Sequence, residues 1–177
     1  MKHLVQNIGR QETEGRDMPI TELAGMLAVL EHGTGQPFDA ASFDSRLRIQ
    51  KSVYVLKVLG FAPAARYSFN DYFHGPYSPD LAKDYYALLS MRLLGQSPET
   101  IPVEIPEHML RIIAGAVHQG NNFLEAVTTI HSIAAHDSSL DRGQIRCFFR
   151  SRKPLIADRF EEGWAFLAAN RLIGERT

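Results

Sequence analysis

The sequence predicts a mainly α-helical domain that contains one short β-strand or hairpin. Its 177 residues are 45% hydrophobic, which is enough to bury a core in one domain without disulfide bridges. Several segments repeat apolar residues at the spacing of a helix. One aromatic segment leads into the sequence His74-Gly75-Pro76-Tyr77-Ser78-Pro79. These observations predict a compact multi-helix domain with the strand or hairpin placed just before that turn.

The first helical group begins with two predicted helices. The segment Thr21 to Glu31 has a threonine cap and leucines on one face. The segment Ser45 to Leu59 is apolar on two opposite sides, which is typical of a central helix. Lys51 falls on one of these apolar sides, so it has to snorkel to solvent or find an acidic partner. The narrow polar stripe of this helix consists of Arg46, Gln50 and Lys57.

The next segment predicts a strand, a turn and a helix within a few residues. The aromatic run from Tyr67 to Phe73 alternates most clearly from Phe69 and favours a short strand. Gly75-Pro76 is typical of a tight turn. Ser78 is then placed to cap a helix from Pro79 to Leu94, because proline is well tolerated at the first helical position. Turn chemistry alone explains this segment, and a recognition role for its exposed side chains is the alternative.

The second helical group follows a proline-rich connector over residues 96–106. It begins with a helix from Glu107 to His118 and continues with one that Asn121 or Asn122 caps. Asp141 opens another helix, Pro154 interrupts it, and a last helix carries apolar residues to its end. We therefore expect a loosely ordered tail over residues 1–17 and one domain over residues 18–177. Its helical groups, residues 20–95 and 106–174, are joined by the connector.

Composition and charge exclude several functional classes. The formal net charge is −1, so no global positive field attracts a polyanion. Cys147 is the single cysteine, which fits a reducing compartment, and the expected location is the cytoplasm. No segment is long and apolar enough for a membrane span or a secretory signal. We expect no cofactor.

Catalytic and metal-binding motifs are not found. The glycine pair Gly33 and Gly35 is too short for a phosphate-binding loop, and no G-x-S-x-G elbow occurs. Cys147 lies in an apolar and basic helical stretch, where a buried, inert thiol is expected. His131 and His136 would lie about 140° apart on one helix and could not share a metal ion there. If the helix ended before His136, these two residues could meet Asp137 and His74. We predict no metal site.

A local basic patch suggests nucleic-acid binding as an alternative function. The patch contains Arg146, Arg150, Arg152 and Lys153, and we call the segment from Arg150 to Lys153 the basic turn. Two helices joined by a short basic turn could form a helix-turn-helix. Basic side chains in the last turn of a helix also stabilise its dipole, which is an ordinary structural explanation.

The strongest local pattern resembles a known family. The run from Arg46 to Gly60 includes Ile49-Gln50-Lys51, and the run from Phe73 to Leu89 includes His74-Gly75-Pro76. These features resemble the YwgA-like family of small bacterial and archaeal proteins and, more distantly, the Panacea (SocA-like) antitoxin domain. The Pro-Tyr-Ser-Pro sequence after Gly75 is more similar to the YwgA-like version. The resemblance implies a compact helical domain without established catalytic residues, and an antitoxin or adaptor role.

The sequence therefore predicts a non-enzymatic protein-binding module, with an antitoxin-like or adaptor-like role in a toxin–antitoxin or defence setting. Tyrosine and arginine are the residue types that commonly anchor protein contacts. The alternative is a nucleic-acid-binding regulator that uses the basic patch. A third and weaker option is a hydrolase or nuclease with His74 as base. The residues expected to bind the partner are Arg46, Gln50, Lys57, His74, Tyr77 and Ser78.

Overall fold

The computed structural model describes residues 8–94 and 103–174 and confirms a mainly helical fold with one short hairpin. Residues 1–7 of the expected tail and residues 95–102, which cover most of the connector, lie outside the described residues. A 3-10 helix, Pro154–Arg159, joins the last two α-helices. In chain order the elements are α1 Ile8–Thr34, α2 Phe43–Val58, α3 Ala62–Ala65, β1 Asn70–Tyr72, β2 Gly75–Tyr77, α4 Pro79–Ser90, α5 Glu107–Val117, α6 Asn121–His136, α7 Arg142–Arg152 and α8 Phe160–Ala169.

The core is centred on α2 and α6, which pack against each other. α6 also packs against most of the other elements, and α2 packs against α3, α5 and β2. The apolar side chains Ile49, Val53 and Leu56 of α2 are fully buried, as expected for a central helix. In α6, Phe123, Val127 and other apolar side chains are buried as well. Over the two described ranges, no helix combines the length and the apolar character needed to cross a bilayer.

Two helix starts, those of α4 and α7, were predicted together with the side chains that cap them, whereas α2 begins at Phe43 with Ser42 as its cap rather than at Ser45. The Ser78 hydroxyl accepts a hydrogen bond from the amide of Leu81 at the start of α4, at 3.3 Å. The Asp141 carboxylate accepts one from the amide of Gln144 at the start of α7, at 2.8 Å. Both caps were expected, because an oxygen acceptor here satisfies a first-turn amide that has no partner within the helix.

Two other predicted caps are wrong. Thr21 lies inside α1, because that helix is continuous from Ile8 and its leucine pattern marks only part of its length. At α6 the residue before the first turn is Gly120, at a positive φ of 93°, rather than an asparagine. The Asn121 side chain instead donates a hydrogen bond to the carbonyl of Asp44, at 3.4 Å.

The hairpin differs from the prediction in the position of its turn. β1 pairs with β2 in antiparallel register, with Tyr72 opposite Gly75, so the turn lies at Phe73 and His74. Gly75 is needed for a different reason: its φ is 80°, and a Cβ there would lie 2.3 Å from Oγ1 of Thr129 on α6. Glycine therefore lets β2 pack closely on α6.

Candidate functional site

The hairpin is fastened to the helical core by polar side chains of α2. The amide of Gln50 donates to the carbonyl of Ser78 and accepts from the Ser78 backbone N–H, each at 2.9 Å. One residue further along, the ammonium of Lys51 donates to the carbonyl of Pro76 at 2.7 Å. These contacts satisfy backbone groups of the hairpin that would otherwise be buried without partners.

A buried charge cluster holds the turn of the hairpin from the other side. Glu125 of α6 accepts a hydrogen bond from the ammonium of Lys153 at 2.7 Å and lies 3.1 Å from Nδ1 of His74. Lys153 also donates to the carbonyl of Phe73. Glu125 and Lys153 are both almost completely buried, so the loss of either partner would leave an uncompensated buried charge.

The outer strand is fixed by a third set of contacts. The Asp71 carboxylate accepts a hydrogen bond from the Ser132 hydroxyl at 2.6 Å and from the Arg152 guanidinium at 2.8 Å. Burial opposes ionisation of Asp71, but these two bonds, together with the charges of Arg152 and His136, lower the pKa of the carboxyl. The hairpin is therefore tied to α2, to α6 and to the end of α7.

Lys51 is the least expected member of the site. Its side chain is only 2% exposed, so it does not snorkel, and its hydrogen bond goes to a backbone carbonyl rather than to a carboxylate. Burial lowers the pKa of Lys51 from 10.5 to about 7. The charge of Glu125 opposes this shift and the charge of Lys153 adds to it. An amine with such a pKa changes its protonation state near neutral pH.

A pocket of about 180 Å³, which we call the hairpin pocket, lies between α2, the hairpin and α4. Its wall combines aromatic rings with the side chains of three basic residue types, Arg46, Lys51 and His74, and with the amide of Gln50. Burial raises the pKa of Tyr85, which lines the pocket, to about 12, so this phenol stays neutral. The lining aromatic residues are Phe43, Tyr72, Tyr77, Tyr85 and Tyr86.

Large aromatic side chains are exposed around the mouth of this pocket. Phe43 is 54% exposed, Tyr72 62% and Tyr86 50%, and the neighbouring Phe73 is 81% exposed. The rings of Tyr72 and Tyr77 lie 5.4 Å apart, and Phe43 packs edge-on against His74 at 5.1 Å. We call Phe43, Tyr72, Phe73, Tyr77 and Tyr86 the aromatic surface.

A second depression lies on the opposite side of the hairpin, with a volume of about 380 Å³. Its charged side chains are Asp71, Arg152 and Lys153, which are already bonded to one another or to the hairpin. Thr129 Oγ1 is buried beside it and has no hydrogen-bond partner among the described residues. This depression helps to hold the hairpin and offers no unpaired charge to a ligand.

The structure divides the residues expected to bind a partner. Arg46, His74 and Tyr77 line the hairpin pocket. Gln50 also lines this pocket, but its side-chain amide is buried and bonded to Ser78, which is buried as well. Lys57, the last member of the stripe, donates to the carbonyl of Tyr67 at 2.6 Å and lies outside the pocket.

The basic patch of the alternative function is largely neutralised. Arg146 lies 3.5 Å from Glu161, and Arg152 is paired with Asp71. Lys153, expected on the surface, is buried against Glu125. Arg150 is exposed and forms no ion pair with any residue in the two described ranges.

The cysteine and the histidines have ordinary surroundings. Cys147 is exposed, so the expectation of a buried thiol is wrong; it lies on the outer face of α7. α6 continues through His136, and Nδ1 of His131 shares a hydrogen bond with the Tyr54 hydroxyl at 2.8 Å. Within residues 8–94 and 103–174, no three His, Cys, Asp or Glu side chains are grouped as metal ligands.

Sequence reasoning missed Glu125 and the role of the polar face of α6. Glu125, Thr129 and Ser132 are spaced by four and three residues, which places them on one helix face. In the structure, each lies against the hairpin. A polar stripe along an otherwise buried helix was therefore the signal that this helix meets a polar partner.

Comparisons with known proteins do not add to this geometry. No family model matches the chain, and neither a curated protein nor a solved structure matches it. The resemblance to the YwgA-like family and to the Panacea domain therefore stays a prediction.

Proposed function

We propose that this protein is a non-enzymatic binding module that recognises another protein through its aromatic surface. The observation that carries the proposal is the group of exposed aromatic side chains around the mouth of the hairpin pocket, led by Phe43, Tyr72 and Tyr86. Aromatic side chains gain more from burial than other types, and they are enriched at the centres of protein interfaces. Clustered around a pocket, they are typical of an interaction site.

The rigidity of the hairpin supports the same proposal. The bonds from Gln50 and Lys51 and the cluster of Glu125 with Lys153 fix the strand positions before any partner arrives. A surface that is ordered in advance loses less conformational entropy on binding, so more of its contact energy appears as affinity.

The mechanism we propose is occlusion. The aromatic surface covers an active region of the partner, with Tyr77 and Arg46 at the contact, as an antitoxin or an adaptor would do. The resemblance to the YwgA-like and Panacea families favours a toxin–antitoxin or defence setting. No chemical step is required of the protein in this mechanism.

The test begins with affinity capture from the source cells, using wild-type protein and a His74→Ala/Tyr77→Ala double variant as baits. We expect one protein to be recovered with the wild type and lost with the variant, and to bind again at one-to-one stoichiometry when both are purified. Leu155→Ala is the control, because Leu155 is 96% exposed and lies outside the hairpin pocket.

Two results would contradict the proposal. One is a purified partner that binds the double variant as tightly as the wild type. The other is a double variant with a strongly lowered melting temperature, because His74 and Tyr77 would then be structural. The regulator alternative is not proposed, because the cations on which it depends are mostly paired or buried.

A further inference from the structure

We propose that the hairpin pocket receives a carboxylate group of the partner protein, next to an aromatic or large apolar side chain, and that Lys51 takes up a proton as the carboxylate enters. This inference rests on the proposed function and names the chemical group that the aromatic surface recognises. It commits to a protein segment as the occupant. The carboxylate belongs either to an acidic side chain or to a chain end.

The charge of the pocket wall is the first support. Arg46, Lys51 and His74 line the pocket, and no carboxylate is among its lining residues in the described part of the chain. Glu125 bonds to His74 and Lys153 but does not line the pocket. A wall of nitrogen donors and aromatic rings is complementary to an anion that carries an apolar neighbour.

Arg46 has hydrogen-bonding capacity to spare. Its Nη1 donates to the carbonyl of Ala40 at 3.1 Å and more weakly to that of Ala41 at 3.4 Å. Its Nε and Nη2 form no hydrogen bond with any described residue. The guanidinium is therefore anchored at one end and offers N–H groups to a ligand at the other, a geometry that suits a carboxylate.

Lys51 provides the second contact and the link to pH. Burial lowers the pKa of Lys51 to about 7, and the nearby charges of Glu125, Lys153 and Asp71 also act on it. One additional negative charge in the pocket shifts the protonation of Lys51 toward the ammonium form, so binding draws a proton from solvent. The charges that act on Lys51 are those of Glu125 on α6, Lys153 after α7 and Asp71 on β1, and the titratable groups that line the same pocket are His74 in the turn, Arg46 on α2 and Tyr85 on α4.

The size of the pocket limits what enters it. A volume of about 180 Å³ holds one side chain or one chain end rather than a folded segment. The remaining contact area is then provided by the aromatic surface outside the pocket, where Phe43, Tyr72 and Tyr86 are half exposed or more. The carboxylate thus fixes the position of the partner segment on this surface, and the aromatic rings supply most of the buried area.

The experiment uses four N-acetylated peptides and two small probes, titrated into the full chain and followed by amide NMR shifts and calorimetry. Acetyl-Gly-Gly-Phe with a free carboxylate is compared with its amide, and acetyl-Gly-Phe-Asp-Gly-amide with its Asn analogue. The small probes are 3-phenylpropionate and 3-phenylpropanamide, its uncharged match. Calorimetry at pH 8 in two buffers of different ionisation enthalpy counts the protons that are taken up.

We expect the carboxylate forms to shift the amide signals of pocket residues and to bind about tenfold or more tightly than their uncharged matches. The two peptide pairs show whether the carboxylate comes from a chain end or from an acidic side chain. At pH 8 we expect uptake of close to one proton, and affinity falling as the pH rises from 7 to 9. Lys51→Met should abolish the proton uptake, and Arg46→Gln should remove much of the preference for the carboxylate.

Lys57→Met is the matched control, because it removes a lysine of the same helix that does not line the pocket. Equal affinity for acids and amides, or no binding by any probe at millimolar concentration, would overturn the inference. Proton uptake that persists in Lys51→Met would also overturn it. None of these results bears on the capture experiment, so the inference can fail while the protein-binding proposal stands. Failure of the capture experiment instead contradicts the proposed function, whatever the probes show.

Discussion

Replacing Lys51 with methionine should make the free energy of unfolding less dependent on pH in the alkaline range. In the native state burial holds the pKa of Lys51 near 7, whereas the unfolded chain has the ordinary value of 10.5. Between these two values the unfolded state binds more protons than the native state. The free energy of unfolding therefore rises with pH across this window.

The magnitude follows from the difference between the two pKa values. The difference is about 3.5 pKa units, at about 1.36 kcal/mol each. Below pH 7 the lowered pKa of Lys51 therefore destabilises the native state by about 5 kcal/mol. Most of this destabilisation, about 3 to 4 kcal/mol, is relieved as the pH rises from 7 to 10. The methionine variant has no proton to bind, so its stability should lack this increase.

The assay is chemical denaturation of wild type and Lys51→Met at several pH values from 6 to 10. We expect the difference in unfolding free energy, wild type minus variant, to rise by about 3 kcal/mol over pH 7 to 10 and to be flat below pH 7. Lys57→Met is the control for removing a lysine from the same helix, since Lys57 is only half buried. A flat difference for Lys51→Met across the whole range would refute the reasoning.

Three further predictions concern the hairpin and the basic turn. Gly75→Ala should lower the unfolding free energy by about 2 kcal/mol or more, because of its positive φ and the clash with Thr129, and Thr129→Ala in the same chain should restore part of the loss. Glu125→Gln should lower the unfolding free energy by about 3 kcal/mol, because it leaves a buried lysine without its counter-charge. Glu107→Gln, in an exposed ion pair, is the control and should lower it by less than about 0.5 kcal/mol. Chemical denaturation measures both. Fluorescence anisotropy should detect no binding of duplex DNA at physiological salt. Strong binding that falls steeply with salt would contradict the conclusion that the cations of the basic patch are largely neutralised.

Local sequence signals explain the part of the structure that could be predicted. α4 and α7 begin where Ser78 and Asp141 were expected to cap them, because capping depends on atoms within a few residues of each other. α2 is buried on both sides, as its apolar pattern indicated. The start of α1 was missed, since helix formation extends beyond the apolar repeat that marks it.

The candidate site was only half predictable for a physical reason. His74, Tyr77 and Arg46 were picked out by residue type and local turn chemistry, and they do line the hairpin pocket. Gln50 and Ser78 belong to the same segments, but 28 residues separate them and only the packing of the hairpin on α2 brings them together. No local pattern states that their polar groups satisfy each other.

The sequence by itself determined the mainly helical class, the central position of α2 and the presence of a short hairpin, because spacing and capping act over one or two turns. Tertiary structure alone decided the buried charges. Lys153 meets Glu125 across 28 residues and the carbonyl of Phe73 across 80. The pKa of Lys51 falls mainly because the packed protein excludes water from its side chain. Desolvation and long-range pairing depend on which surfaces meet, and that is a property of the packed molecule.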